Sequence, residues 1–256
     1  LPAWFWYPWV IIFGMIIGSF LNVVIHRLPR EVSVVFPPSR CPSCGHAIRP
    51  WDNVPVISWI VLRGRCRDCA APISPRYPAV EALTGLLFAA VLWKVGPSWA
   101  LVPQFAFVAG LVAIVFVDLD HQMIPDVITL PGLVVGLAAT PLLPHTFFQG
   151  VLGVMTGCTF FYLTAVYAFA ITGRESMGDG DIKMAAMMGA FLGWQSLLVA
   201  ILTALLLGSG VGLALMATRR RGRKDAIPFG PFLAAGALIA LLWGERLFDW
   251  YITRSL

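Results

Sequence analysis

The chain has 256 residues, 59% of them hydrophobic and only 12% charged, with a mean hydropathy of +0.81. A soluble domain is nearer half apolar and a quarter charged, so the excess must face lipid and the chain reads as an all-α polytopic membrane protein. The net charge of +5 suggests an anionic partner, but the basic residues gather in a few loops beside apolar runs, which argues against nucleic acid.

About eight apolar segments follow one another, near 4–25, 78–95, 99–117, 127–143, 147–171, 182–193, 195–217 and 229–248, and each is expected as a transmembrane helix. The first, "WFWYPWVIIFGMIIGSFLNVVI" (4–25), has no basic start and no small-residue cleavage site, so it reads as a retained helix. Gly and Pro punctuate most junctions, as in "VGPSW", "MIPDV" and "LLPHT". Alternating ends puts loops 26–76, 118–126, 172–182 and 218–228 on one side. With Lys183 at the edge of the third, they hold 15 of the 18 Lys and Arg residues. The positive-inside rule makes that side cytoplasmic.

Between the first two segments lies the only long polar stretch, 27–76. It is long enough for a small domain but poor in bulky apolar residues, so it needs a staple. The staple is "CPSCGH" at 41–46 and "CRDC" at 66–69: a C-x2-C pair, 21 intervening residues and a second C-x2-C pair. Cys41, Cys44, Cys66 and Cys69 can converge as four thiolates on one zinc ion. Two disulfides fit a reducing compartment poorly, and a redox pair would need a thioredoxin-like context. Four cysteines close the coordination shell, so the zinc would be structural; His46 is an alternative ligand for one cysteine. Cys158, alone in an apolar segment, reads as packing.

The 13 acidic residues include two clusters at cytoplasmic boundaries. "VDLDHQMIPD" carries Asp118, Asp120 and Asp126; "MGDGDIK" carries Asp179 and Asp181. A carboxylate at the membrane edge is costly and therefore a functional candidate. Asp118 directly ends the run "LVAIVFV" and sits deepest. Asp126, after Pro125, suits a cap or first-turn position, and Asp181, ahead of "IKMAAMMG", could itself be an N-cap, the lesser reading beside that of a catalytic acid. Two carboxylates from different helices can share a proton and act as acid and base on a peptide bond. Gly178 and Gly180 lack Cβ atoms and would let a substrate backbone approach.

With these motifs the chain resembles the type IV prepilin peptidase family over nearly its whole length. The likeness includes "GSFLNVVIHRLP" (18–29), "WDNVPVISWIVLRGRCRDC" (51–69), "ISPRYPAVEALTG" (73–85), "DLDHQMIPD", "MGDGDIK" and "IPFGPFLA" (227–234). The resemblance implies Asp118 and Asp181 as the catalytic pair, with Gly178 and Gly180 supporting the loop. It implies a membrane aspartic endopeptidase of the bacterial inner membrane, cleaving prepilins and pseudopilins at the cytoplasmic face. Because the four cysteines are present, it also implies N-methylation with S-adenosylmethionine. Glu81 matches a family motif and either serves methyl transfer or pairs with an interfacial Arg. The expected organisation is a first helix (1–26), a cytoplasmic zinc domain (27–76) and a transmembrane protease core (77–256). The rival readings are a peptidase without methylation, a transporter using the acids as an ion pathway, a presenilin-type protease and a non-catalytic zinc-bearing scaffold. A transporter would place acids near the midplane on inverted repeats, which the sequence does not display.

Overall fold

The computed structural model describes residues 2–173, 178–218 and 228–255. Of the expected basic loops, residues 174–177 of 172–182 and residues 219–227 of 218–228 lie outside the described residues. The elements are α1 (Trp6–Arg27), α2 (Ile57–Val61), α3 (Arg76–Val95), α4 (Leu101–His121), α5 (Asp126–Ala138), α6 (Phe147–Thr172), α7 (Asp179–Ala217) and α8 (Gly230–Ser255). Local chemistry sets their ends. A capping box of Thr146 and Gln149 opens α6. Gly96 and Gly173, both at positive φ, close α3 and α6 by donating to Leu92 and Phe169 carbonyls.

All eight apolar segments are helical, but among the described residues only six helices are long and apolar enough to cross a membrane. Two features separate this count of helices from the eight expected segments. α5 has 13 residues, or about 20 Å at 1.5 Å per residue, short of a hydrocarbon core of about 30 Å. The segments expected at 182–193 and 195–217 adjoin as the 39-residue α7, and Gly193, with φ 70° and ψ 169°, separates them where the sequence placed the break.

That single residue reverses the chain. At the start of α7, Gly180 meets Ile124 in the turn between α4 and α5. At its far end, Gly193 meets His145 in the loop between α5 and α6, and Ser196 meets Gly244 of α8. By Gly208 the helix lies beside Phe229 and Phe232 at the start of α8, where Gly230 touches Asp118. The 179–192 and 194–217 parts of α7 therefore run in opposite senses between the same two ends.

The chain divides into two compact units, one up to Ala113 and one from Ile114. In the first, α1 and α3 cross closely. A Cβ on Gly14 would lie 2.8 Å from the Gly85 Cα, and one on Gly18 would lie 2.7 Å from the Glu81 Cα. Phe88 of α3 stacks on Phe105 of α4 with centroids 4.2 Å apart. In the second unit, α6 and α7 meet backbone to backbone at Gly153 and Gly189. Lipid offers no hydrophobic drive between apolar helices, so small residues that admit close van der Waals packing hold the bundle.

Candidate functional site

Asp118 lies in the last turn of α4 and is only 5% exposed. The helix stops there because Gln122 takes a left-handed conformation (φ 52°) and donates its N–H to the Asp118 carbonyl. The Asp118 carboxylate accepts a 2.9 Å hydrogen bond at Oδ2 from the backbone N–H of Gly230, the first residue of α8.

Asp181 is the third residue of α7, and Gly178, not Asp181, occupies the cap position. The half-buried Asp181 carboxylate lies near enough to Asp118 for the two charges to repel. The fold thus brings together two carboxylates 63 positions apart in the chain (181 minus 118). Asp179 is exposed. Asp126 begins α5 and forms a 2.6 Å ion pair with Lys183.

The two glycines differ in surroundings. The space beside Gly178 is open except for the Gly180 backbone at 4.0 Å. A Cβ on Gly180 would meet the Ile124 side chain at 2.8 Å, so the protein itself fills that space.

The N-terminal unit carries the cysteine cluster. The Sγ atoms of Cys41, Cys44, Cys66 and Cys69 all lie within 4.8 Å of one another, and those of Cys41 and Cys69 are 3.8 Å apart. A zinc tetrahedron with arms of about 2.3 Å has edges of about 3.8 Å, so the cluster can hold that ion. The cluster is built from two copies of one turn. In the first, the Cys41 N–H donates to His46, Gly45 to Cys41 and Ile48 to Ser39. In the second, Cys66 donates to Ala71, Ala70 to Cys66 and Ile73 to Gly64. Each pair is offset by 25 residues. Backbone hydrogen bonds at Cys44 and then Ser43 bring the Cys41 thiol down to about 6. The Ala71 backbone acts to lower Cys69, but desolvation and the neighbouring thiols push it up to about 12.

Glu81 of α3 accepts a 2.7 Å hydrogen bond at Oε2 from the Val56 N–H and a further one from Ser19 of α1. It anchors the segment between the two cysteine turns to the α1–α3 pair. Val56 takes a positive φ of 62° at this contact.

Two functional contacts had no signal in residue types. The Gly230 N–H is a backbone donor, visible in the sequence only as a "PFGPF" helix start. The Asp126–Lys183 pair joins residues from separate motifs.

Residues 12–95 match the model of the Bacterial Peptidase A24 N-terminal domain, and residues 105–213 that of the Type IV leader peptidase family. A prepilin leader peptidase/N-methyltransferase of Aeromonas hydrophila is 41% identical over 280 aligned residues, covering 99% of this chain and 96% of that protein. One from Pseudomonas aeruginosa is 38% identical over 94% of this chain and 92% of its own. One from Myxococcus xanthus is 45% identical over 83% of this chain and 64% of its own. No solved structure matches the chain. Both carboxylate motifs lie inside the second match, and these matches and relatives place this chain in the type IV leader peptidase family.

Proposed function

We propose that the chain is a prepilin leader peptidase and N-methyltransferase, with Asp118 and Asp181 as its catalytic dyad. The observation that carries the reading is that the fold sets these two carboxylates, from the end of α4 and the start of α7, within electrostatic reach of each other. One carboxyl in such a pair is ionised and takes a proton from water. The hydroxide equivalent adds to the scissile carbonyl carbon while the other carboxyl gives its proton to the carbonyl oxygen. The tetrahedral species then collapses, the C–N bond breaks and the leaving amine takes up a proton. No covalent enzyme intermediate forms. The substrates are prepilins and pseudopilins, whose leader ends at the cytoplasmic face of the bacterial inner membrane. The clustering of 15 basic residues on the four loops supports that orientation.

Cys41, Cys44, Cys66 and Cys69 would hold structural zinc, which ties the two turns of the 27–76 domain together in place of an apolar core. Methyl transfer from S-adenosylmethionine is assigned to the N-terminal half, with Glu81 as its candidate residue. Val56 and Ser19 hold the Glu81 carboxylate in one place, as a residue that orients a cationic methyl donor would require.

The test is mass spectrometry of a purified prepilin after incubation with the protein and methyl donor. The expected product is shortened by the leader and carries one methyl group on its new N-terminus. Asp118→Asn and Asp181→Asn should each cut cleavage on the order of a thousandfold or more while retaining zinc. Full cleavage by either folded variant would sink the dyad assignment.

A further inference from the structure

The two carboxylates differ in surroundings. Asp118 is buried, and its Oδ2 accepts the Gly230 N–H at 2.9 Å. That donor is the first N–H of α8, a 26-residue helix, and the first N–H groups of a helix have no partner within it and carry its positive dipole end. The contact is close: a Cβ on Gly230 would lie 2.6 Å from Oδ2, so a side chain there shifts the carboxylate, and variants at this position are compared with one another rather than with the wild type. Among the described residues the Asp181 carboxylate accepts no hydrogen bond, and its principal electrostatic neighbour is Asp118 itself. Asp181 has its own place at a helix N-terminus, in the first turn of α7, but no described backbone N–H donates to its carboxylate.

Building on the proposed dyad, we propose that the N-terminus of α8, through the Gly230 N–H, makes Asp118 the ionised member of the pair and leaves Asp181 to carry the proton. A hydrogen bond donated to a carboxylate favours the charged form, and a charged acceptor strengthens the bond. Two adjacent carboxylates do not both stay ionised, so the proton goes to the one without a donor. Asp118 then takes the proton from the attacking water, and Asp181 protonates the carbonyl oxygen. When the tetrahedral species collapses, the proton on Asp118 passes to the leaving amine, and Asp181 recovers its proton from the collapsing diol. One water is consumed and both carboxyls return to their starting states. Gly230 acts through Asp118 and is a positioning residue.

Infrared spectroscopy of the full chain, labelled with ¹³C at aspartate carboxyls and held in detergent at neutral pH, tests the assignment. The signal is the protonated-carboxyl C=O band present in the wild type and absent from an Asp118→Asn/Asp181→Asn double variant. Asp181→Asn alone should abolish it. A band that survives in Asp181→Asn, or no band in the wild type, overturns the proposal. For Gly230, the acid limb of the kcat/KM profile on a prepilin is compared between Gly230→Ala, which keeps the N–H, and Gly230→Pro, which removes it. Both add a Cβ. The Pro variant's limb should lie about one pH unit higher, and superimposed limbs overturn the role of Gly230. If Gly230→Pro does not fold, the infrared comparison decides alone. A wild type that cleaves no prepilin refutes the proposed function and leaves the infrared result standing. A wild type that cleaves, with the band surviving in Asp181→Asn, refutes only this assignment.

Discussion

The Lys183 Nζ lies 2.6 Å from Asp126 Oδ2, tying the first turns of α7 and α5 together two residues beyond Asp181. Beside it, Gly180 seats against Ile124. The turn that carries Asp181 is therefore clamped to the turn that follows Asp118 from both sides. The pair is part-exposed, so its worth to global stability is small, about 0.2–1 kcal/mol. Its importance lies in geometry, since a shift of about 1 Å at a reacting group can cost about a hundredfold.

Lys183→Met is accordingly expected to lower kcat by about tenfold with little change in thermal stability. The charge-exchanged Asp126→Lys/Lys183→Asp variant should recover part of that loss. A double-mutant cycle on cleavage rate checks it, and additive single effects would show that the pair does not hold the site.

Gly180→Ala should be more damaging than Gly178→Ala. The first places a Cβ 2.8 Å from Ile124, whereas the second meets only backbone at 4.0 Å. Side-by-side cleavage assays of the two variants check this order, and a reversed order would favour Gly180 as space for substrate backbone. An Ile124→Ala change combined with Gly180→Ala should restore room and part of the activity.

The cysteine cluster predicts a proton-coupled metal site. Thiolates bind the metal and thiols do not, so zinc affinity falls as pH falls. With Cys41 brought down to about 6 and Cys69 pushed up to about 12, loading at neutral pH must release protons, and affinity should rise by about tenfold per pH unit for each proton released. Competition with a chelator across pH 6 to 8 measures the slope; a flat profile would exclude thiolate ligation. Cys41→Ser should lose the ion.

Ala70 occupies the place in the second cysteine turn that Gly45 occupies in the first, and both have positive φ, 56° and 72°. Ala bears a penalty of about 1 kcal/mol in that conformation. Ala70→Gly is expected to slow zinc loss to a chelator, while Gly45→Ala should speed it, and both rates are read directly from metal release.

Gly193→Ala tests the reversal in α7. Its φ of 70° with ψ of 169° is open almost only to glycine, so the substitution should lower the detergent-measured Tm by several degrees, consistent with about 1–3 kcal/mol of strain. An unchanged Tm would mean that the helix passes this point without the sharp turn.

Helix positions and ends were legible in the sequence because they rest on neighbours along the chain. Apolar runs, the Thr146–Gln149 box and the glycines at 96 and 173 each act within a turn or two. The cysteine spacing and the depth of Asp118 were legible for the same reason: a C-x2-C pair is local, and Asp118 ends its apolar run. The break at Gly193, between the segments read at 182–193 and 195–217, was legible too; the length of α5 was not, because its apolar run 127–143 continues past the helix end at Ala138.

By itself the sequence determined that this chain lies in a membrane as a helical bundle, carries a four-cysteine cluster and bears acidic clusters at the ends of apolar runs. Only the tertiary structure decided what stands beside each aspartate. Gly230 follows Asp118 by 112 positions and contributes a backbone N–H, which every residue but proline possesses. Lys183 and Asp126 are 57 positions apart, and Ile124 fills the space that Gly180 leaves. Such partners carry no mark in residue type, because a donor's effect depends on where the folded backbone aims it. The same carboxylate chemistry thus becomes two different groups, one held by the end of a helix and one left to its neighbour's charge.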